Sequence, residues 1–211
     1  MSEVRIDCVV FGYDNGNLKV LLSKEDKGVG TKWGLISGVK NENQDTDDAV
    51  LGLLNAFGTC KNIFLKPLKT AVDNPKIVKC FAVINIEDYK VNFGAINLYQ
   101  RWCNIKDVPD LILDHNQTLD YSWYQLGICV QSPSGFNLLP EKFTLLELMN
   151  LYQEILGVET DKLSFGKNIV KQKVILPLNK KAQDISQKTD KLYKFNTAVY
   201  NRKDFVFDFH Q

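Results

Sequence analysis

Apolar runs at residues 6–13 and 18–23 stand on either side of Asp14-Asn15-Gly16-Asn17. The Asn-Gly pair predicts a β-hairpin closed by a tight turn. A second strand pair is predicted at residues 64–72 and 77–86, around Asp73-Asn74-Pro75-Lys76. Between the two pairs, Lys32-Trp33-Gly34-Leu35-Ile36-Ser37-Gly38 reads as a strand running into a glycine turn. Asp45-Thr46-Asp47-Asp48 then reads as an acidic helix start, with the helix from Ala49 to about Phe57. A further strand is expected over residues 95–102 and a helical turn beginning at Val108-Pro109-Asp110-Leu111. Leu119, Trp123, Leu126 and Val130 recur at helical spacing and predict a helix over residues 114–130. Gln131-Ser132-Pro133-Ser134-Gly135 has the composition of a linker. The pattern up to residue 131 predicts one α/β domain, a mixed sheet between helices.

Beyond the linker, residues 136–211 read as helix, helix, then hairpin. Thr144-Leu145-Leu146-Glu147 is a capping-box sequence, so Thr144 should cap a helix over residues 145–156 closed by Gly157. Leu145, Leu148, Met149, Tyr152, Ile155 and Leu156 form its apolar stripe. Asp161 is a good N-cap for a second helix reaching about Gln172. On that helix Phe165, Ile169 and Val170 are expected to face inward, leaving Ser164, Lys167, Asn168 and Lys171 as one polar, basic face. Two strands follow, at residues 174–178 and 192–195, with Lys180, Lys181, Lys188 and Lys191 near the hairpin tip. Helix-turn-helix plus basic hairpin is the winged-helix plan, in which the second helix lies in the major groove of DNA. A helical cap carrying a solvated hairpin is the competing reading of the same pattern.

Charge supports a division. The chain has 211 residues and a formal net charge of +1. Residues 136–211 hold 12 Lys+Arg against 9 Asp+Glu, and residues 161–203 hold 11 against 3, so the basic character is concentrated around the predicted second helix and hairpin. A basic segment of this kind suits a polyanionic partner. The five cysteines are scattered without a C-x-x-C pair and only two histidines are present, which argues against a zinc site or a disulfide framework. Charge near the start speaks against a secretory leader, no apolar run reaches the length of a membrane span, and a reducing cytoplasm is expected.

The segment from Gly38 to Thr59 resembles the Nudix box, Gly-x5-Glu-x7-Arg-Glu-U-x-Glu-Glu-x-Gly-U, with U an aliphatic residue. Laid ungapped from Gly38, the first glutamate falls on Gln44, the Arg-Glu pair on Gly52-Leu53 and the Glu-Glu pair on Ala56-Phe57. Family glutamates gather magnesium around a diphosphate, because Mg2+ demands hard oxygen ligands in near-octahedral geometry. Leu53, Ala56 and Phe57 offer no such ligand. The resemblance therefore implies a Nudix-like α/β/α sandwich without catalytic or metal-binding residues, and no cofactor is expected. Asp45, Asp47 and Asp48 fit helix capping better than a relocated metal site.

Nearly the whole chain resembles the Nudix-related transcriptional regulators, which fuse a Nudix-like effector domain to a C-terminal winged helix. The residues carrying the resemblance are Ile6-Asp7-Cys8-Val9-Val10-Phe11-Gly12, Lys32-Trp33-Gly34-Leu35, Leu113-Asp114-His115, Phe136-Asn137-Leu138-Leu139-Pro140, Phe143-Thr144-Leu145 and Leu192-Tyr193-Lys194-Phe195-Asn196. It implies a cytoplasmic homodimer that binds operator DNA and answers to a small metabolite. Lys162, Ser164, Lys167, Asn168, Lys171, Lys180, Lys181 and Lys188 are the expected DNA-binding residues. Where relatives that sense ADP-ribose carry an arginine-rich loop, this chain has Asp73-Asn74-Pro75-Lys76, which favours a sugar or sugar-derived effector over ADP-ribose. Trp33, Tyr99, Trp102 and Trp123 are candidates for stacking on it and Glu42 and Asp45 for bonding its hydroxyls; a plain core role competes for all these aromatics. His115, beside Asp114 at a helix start, fits a cap or a hydrogen-bonded core residue better than a catalytic one. Two rival functions remain at the level of sequence: a pyrophosphohydrolase using Glu42, Asp45 or Asp48, and an interaction protein that no longer binds DNA.

Overall fold

The computed structural model describes residues 3–25, 32–59, 63–69, 76–91, 98–130, 138–181, 191–196 and 198. The chain divides into two compact units, residues 1–124 and 125–211. The linker expected at 131–135 lies outside the described residues, as does most of the turn expected at 73–76.

In the first unit, β1 (Glu3–Asp14) and β2 (Asn17–Glu25) form the expected hairpin, with Asp14 opposite Asn17. Asn15 and Gly16 both have positive φ, 51° and 79°, the backbone a two-residue turn needs to follow the strand twist. β1 is long enough to serve two neighbours along one edge: its second half pairs with β2, and its first half pairs antiparallel with β3 (Ile36–Asn41). Its other edge pairs in parallel with β6 (Ile77–Val83), after α1 (Thr46–Phe57), β4 (Gly58–Thr59) and β5 (Phe64–Pro67). β7 (Lys90–Val91) pairs with β4. β8 (Leu98–Asn104) follows, then α2 (His115–Val130), which begins in the first unit and ends in the second; the main sheet runs β5-β6-β1-β2-β8 with β3 beside β1. This is a mixed sheet.

Side-chain alternation sorts β1 into two faces. Ile6, Cys8 and Val10 join Leu21, Ile36, Cys80, Ala82 and Ile84 against Ala49, Val50 and Leu54 of α1, all buried. Val9 and Phe11 lie on the opposite face, where Phe11 meets Phe81 edge-on at 5.9 Å between ring centroids. Each such side chain taken fully out of water contributes about 1.5–3 kcal/mol. Burial on both faces explains why β1 reads as a nearly continuous apolar run. Asp7 is its one charged interruption after Arg5, and it is 0% exposed.

Several local expectations are corrected. Gly38 is no turn: it lies within β3, opposite Ile6. Residues 32–35 form no strand beyond a single bridge from Gly34 to Ser23. A Cβ at Gly38 would stand 2.7 Å from Leu53 Cδ1, so the glycine serves the close approach of α1 to the sheet. α1 starts at Thr46, since the Asp45 carboxylate accepts from Asp48 N at 3.1 Å and so caps the helix. β6 stops at Val83, and Ile86–Asp88 is a 3-10 turn. The helical turn expected at 108–111 instead occupies Ile105–Asp107.

In the second unit, the expected capping box forms: Glu147 N donates to Thr144 Oγ1 (3.2 Å), and Thr144 N donates to Glu147 Oε2 (2.6 Å). It opens α3 (Leu145–Leu156), which ends at Gly157 with φ 66°. α3 buries Leu148, Met149, Leu151, Tyr152 and Ile155. The second helix, α4 (Lys162–Lys171), is capped by Asp161, whose carboxylate accepts from Ser164 N at 2.8 Å. β10 (Ile175–Lys181) and β11 (Lys191–Phe195) form the hairpin, and β9 (Phe143–Thr144) adds a third strand against β11 that sequence patterning misses. Two residues give too short a pattern to read, and the capping box at Thr144 masks them.

Candidate functional site

α4 packs through Phe165 and Ile169, 3% and 0% exposed, with Phe165 against Tyr152 at 5.8 Å between rings. Val170, expected inward, is 51% exposed. The buried position beside Phe165 is taken by Gly166, against which Leu145 packs. Ser164, Lys167 and Lys171 are exposed on the free side of the helix. Asn168 is half-buried, and its Oδ1 accepts from Gln172 Nε2 at 2.8 Å. Backbone and side-chain bonds from Ser164 hold the Asp161 carboxyl below its ordinary pKa, so the helix start keeps a charged cap. Lys162 is exposed in the first turn. Lys180 and Lys181 belong to β10, and Lys188 lies outside the described residues. The result is a short, firmly capped helix with two cations four residues apart on one open face, shaped to meet a polyanion.

In the first unit, Leu53 on the helix face that in the Nudix pattern carries metal ligands is turned to packing; the side chain of Phe57 lies outside the described residues. Leu53 lies against the core beneath Gly38, and Ala56 is half-buried. The loop from β3 to α1 is tied down by Lys40, which is 8% exposed. Its ammonium donates to the carbonyl of Gln44 at 2.7 Å and lies 3.4 Å and 3.5 Å from those of Asn41 and Glu42. A fixed internal cation thus holds the loop, and one of its partners is the main chain of the very residue aligned with the family's first glutamate. Glu42 and Asp45 are exposed on this loop, with Asp45 committed to capping.

A second polar cluster escapes sequence reading. Asp7 Oδ1 accepts from Ser37 Oγ at 2.9 Å, and Asp7 Oδ2 accepts from Arg5 Nε at 2.9 Å. Arg5 also reaches Asp114 at 3.4 Å, and Lys79 donates to Asp114. His115 is 1% exposed and its Nδ1 accepts from Leu35 N at 3.0 Å, which places the imidazole proton on Nε2. That Nε2 stands 3.4 Å from Asp7 Oδ1, within ion-pair reach but not aligned as a hydrogen bond. His115 is therefore a buried, bonded residue of the core, as its place beside Asp114 suggests. Burial raises the pKa of Asp7, but the facing imidazole N–H, the Ser37 hydroxyl and Arg5 outweigh it and hold the carboxyl below its ordinary value. The Lys79 hydrogen bond does the same for Asp114 against a smaller burial effect.

Asp7, Asp114 and His115 bring three potential ligand atoms within 4.8 Å of one another. They do not suit a metal. Arg5 and Lys79 already neutralise the two carboxylates, and the His115 nitrogen able to accept is occupied by Leu35 N.

The aromatic candidates separate. Trp102 packs on the α1 side of the sheet against Tyr89, at 5.8 Å between rings. Trp33 and Tyr99 instead share a cation: Lys24 Nζ lies 5.5 Å from the Trp33 ring centre and 5.7 Å from that of Tyr99. The Arg101 guanidinium lies 4.3 Å from the centre of the Trp33 ring. Sequence reading finds the two rings and misses both cations, because β2–β8 pairing, not chain proximity, assembles them. Tyr99 stands opposite Lys24, and Arg101 opposite Leu22.

Known proteins share both units. Residues 135–195 match the family of NrtR DNA-binding winged helix domains. The chain is 23% identical to the ADPR responsive transcriptional repressor NtrR of Acinetobacter baylyi, over 93% of this chain and 83% of that protein. The crystal structure of Shewanella oneidensis NrtR complexed with a 27mer DNA is similar at TM-score 0.70 and 20% identity, covering 93% of this chain and 95% of that one. A MutT/nudix family protein from Enterococcus faecalis is similar at TM-score 0.63 and 18% identity, covering 93% and 87%.

Proposed function

We propose that this chain, a Nudix-related protein with an NrtR-type winged helix, is a ligand-responsive transcription regulator whose Nudix-like unit senses and does not hydrolyse. The observation that carries the reading is α4: a capped helix within a DNA-binding winged-helix domain, with Lys167 and Lys171 open to solvent on one face. In this reading Ser164, Lys167, Asn168 and Lys171 enter the major groove, Lys162 meets the backbone at the helix start, and Lys180, Lys181 and Lys188 serve the wing. A homodimer would present two such helices to paired half-sites, in the cytoplasm where the DNA lies.

The non-enzymatic role is supported by the repressor among the relatives and by the packing of Leu53 where a glutamate would be needed. For the effector, the relative's response to ADP-ribose outweighs the sequence argument that favours a sugar or sugar-derived metabolite over ADP-ribose, so a phosphorylated sugar or nucleotide sugar is the better class. Trp33 and Tyr99 are its proposed aromatic contacts, with Glu42 and Asp45 from the β3–α1 loop. The test is a mobility shift of DNA from upstream of the protein's own gene across a salt series. A steeply salt-dependent, sequence-selective shift is expected; binding equally weak to any DNA would reject the reading.

A further inference from the structure

We infer that Lys24, Trp33, Tyr99 and Arg101 form an anion seat, in which the phosphate of a bound ligand is held between the Lys24 ammonium and the Arg101 guanidinium. The inference rests on the ligand-sensing reading and adds to it the two residues that would hold the charged part of the effector.

Lys24 and Tyr99 are directly opposite in the β2–β8 ladder, and Arg101 is two residues along from Tyr99, so all three side chains project from the same face of the sheet. Trp33 comes from the segment bridged to β2 through Gly34 and Ser23. Tyr99 is 56% exposed, Arg101 is exposed, and Trp33 and Lys24 are half-buried, so the cluster opens to solvent on a partly buried floor.

Among the described residues neither Lys24 nor Arg101 has a carboxylate partner, whereas Arg5, Lys19 and Lys79 each do. One cation over an exposed ring contributes about 0.5–1 kcal/mol and needs no further explanation. Two cations on the same ring also repel each other. Their distances to the Trp33 centre put them no more than about 10 Å apart, at most about one Debye length at 0.1 M salt, so an anion between them would relieve their repulsion.

Geometry then selects the ligand. The Arg101 guanidinium, 4.3 Å from the Trp33 ring centre and exposed, carries N–H groups that can make two parallel bonds to a planar or tetrahedral oxyanion. Lys24, with rings on two sides, supplies a point charge beside it. Tyr99, 56% exposed, leaves apolar ring surface beside the two cations for a sugar or base to lie on. A phosphate attached to a sugar or nucleoside satisfies both halves; a neutral sugar satisfies only one. This arrangement also supplies the cations that the Asp73-Asn74-Pro75-Lys76 segment lacks.

The test titrates the full-length protein with ADP, ribose 5-phosphate, adenosine and inorganic phosphate by calorimetry, with tryptophan fluorescence alongside. ADP should bind, adenosine should bind far more weakly, and K24A/R101A should lose roughly 10- to 100-fold in ADP affinity, the range for removing charge-assisted hydrogen bonds. W33F should keep binding but lose most of the fluorescence change. R101K should restore only part of the affinity lost in R101A. Unchanged thermal unfolding of K24A/R101A, and an unchanged DNA shift without ligand, show that the loss is local. Equal affinity of wild type and K24A/R101A for ADP, or equal affinity of wild type for adenosine and ADP, overturns the seat. Either result leaves DNA binding by α4 standing, whereas failure of the DNA shift with ADP binding intact rejects the regulator and keeps the seat.

Discussion

Asp7 Oδ1 faces His115 Nε2 at 3.4 Å, joining the middle of the central strand to the first residue of α2 across 108 positions of sequence. Both side chains are sealed from solvent. The carboxylate gains Ser37 and Arg5 as further partners, so the pair is a structural joint between β1, β3 and α2.

Replacing Asp7 by Asn should therefore be costly. The amide would leave the Arg5 guanidinium short of its closest partner; Arg5 is 31% exposed and keeps Asp114, so the cost should be that of one poorly satisfied polar contact, about 1–3 kcal/mol. The pH dependence follows from the lowered pKa. A carboxyl depressed on folding contributes stability that is complete above its unfolded value of 3.8 and is lost as pH falls through the lower folded value. Urea unfolding of the wild type should show stability falling as pH drops below about 4, and D7N should be weaker at neutral pH with a flatter acid limb. An acid limb of equal steepness in D7N would remove Asp7 from the explanation.

Gly38 and Leu53 provide a packing test. G38A puts a methyl 2.7 Å from Leu53 Cδ1, the end of a half-buried side chain that can shift, and should destabilise the first unit by about 1 kcal/mol or less. In G38A/L53A the clash is gone, so the two costs should fall short of additive in a double-mutant cycle. Strict additivity would mean that glycine is required at this position for some other reason.

These two sites also show how much of the fold is legible in the sequence. Local chemistry is readable: the Asn15-Gly16 turn, the Thr144–Glu147 capping box and the Asp161 cap each declare themselves within four residues. Close approach is not. Gly38 resembles a turn glycine until Leu53 is seen against it, and Gly166 gives no hint that it displaces Val170 from the buried side of α4. Long-range polar pairing is equally hidden, since nothing in residues 5–7 indicates partners at 37, 114 and 115. The same holds for the candidate site: Trp33 and Tyr99 stand out by residue type, but Lys24 and Arg101 become meaningful only through the β2–β8 register.

The DNA reading predicts a graded response along α4. K167A/K171A removes two cations from the open face without touching Phe165 or Ile169, so unfolding should be unchanged. Anisotropy titrations with operator DNA should show weaker binding and a log–log salt slope reduced by up to about 2, roughly one for each phosphate that a lysine no longer neutralises. K162A, at the helix start, should reduce the slope by about 1 with little change in sequence preference. An unaltered slope in the double variant would take α4 out of the interface.

Whether the Nudix-like unit senses a ligand on behalf of a DNA-reading unit can be decided by one titration. Labelled operator DNA bound to the full-length protein is followed by anisotropy while ADP-ribose is added without metal. DNA affinity should change saturably, with the ADP-ribose chemically intact afterwards. Unchanged DNA affinity at saturating ADP-ribose, or steady hydrolysis of it once Mg2+ is supplied, would refute a sensor that does not hydrolyse.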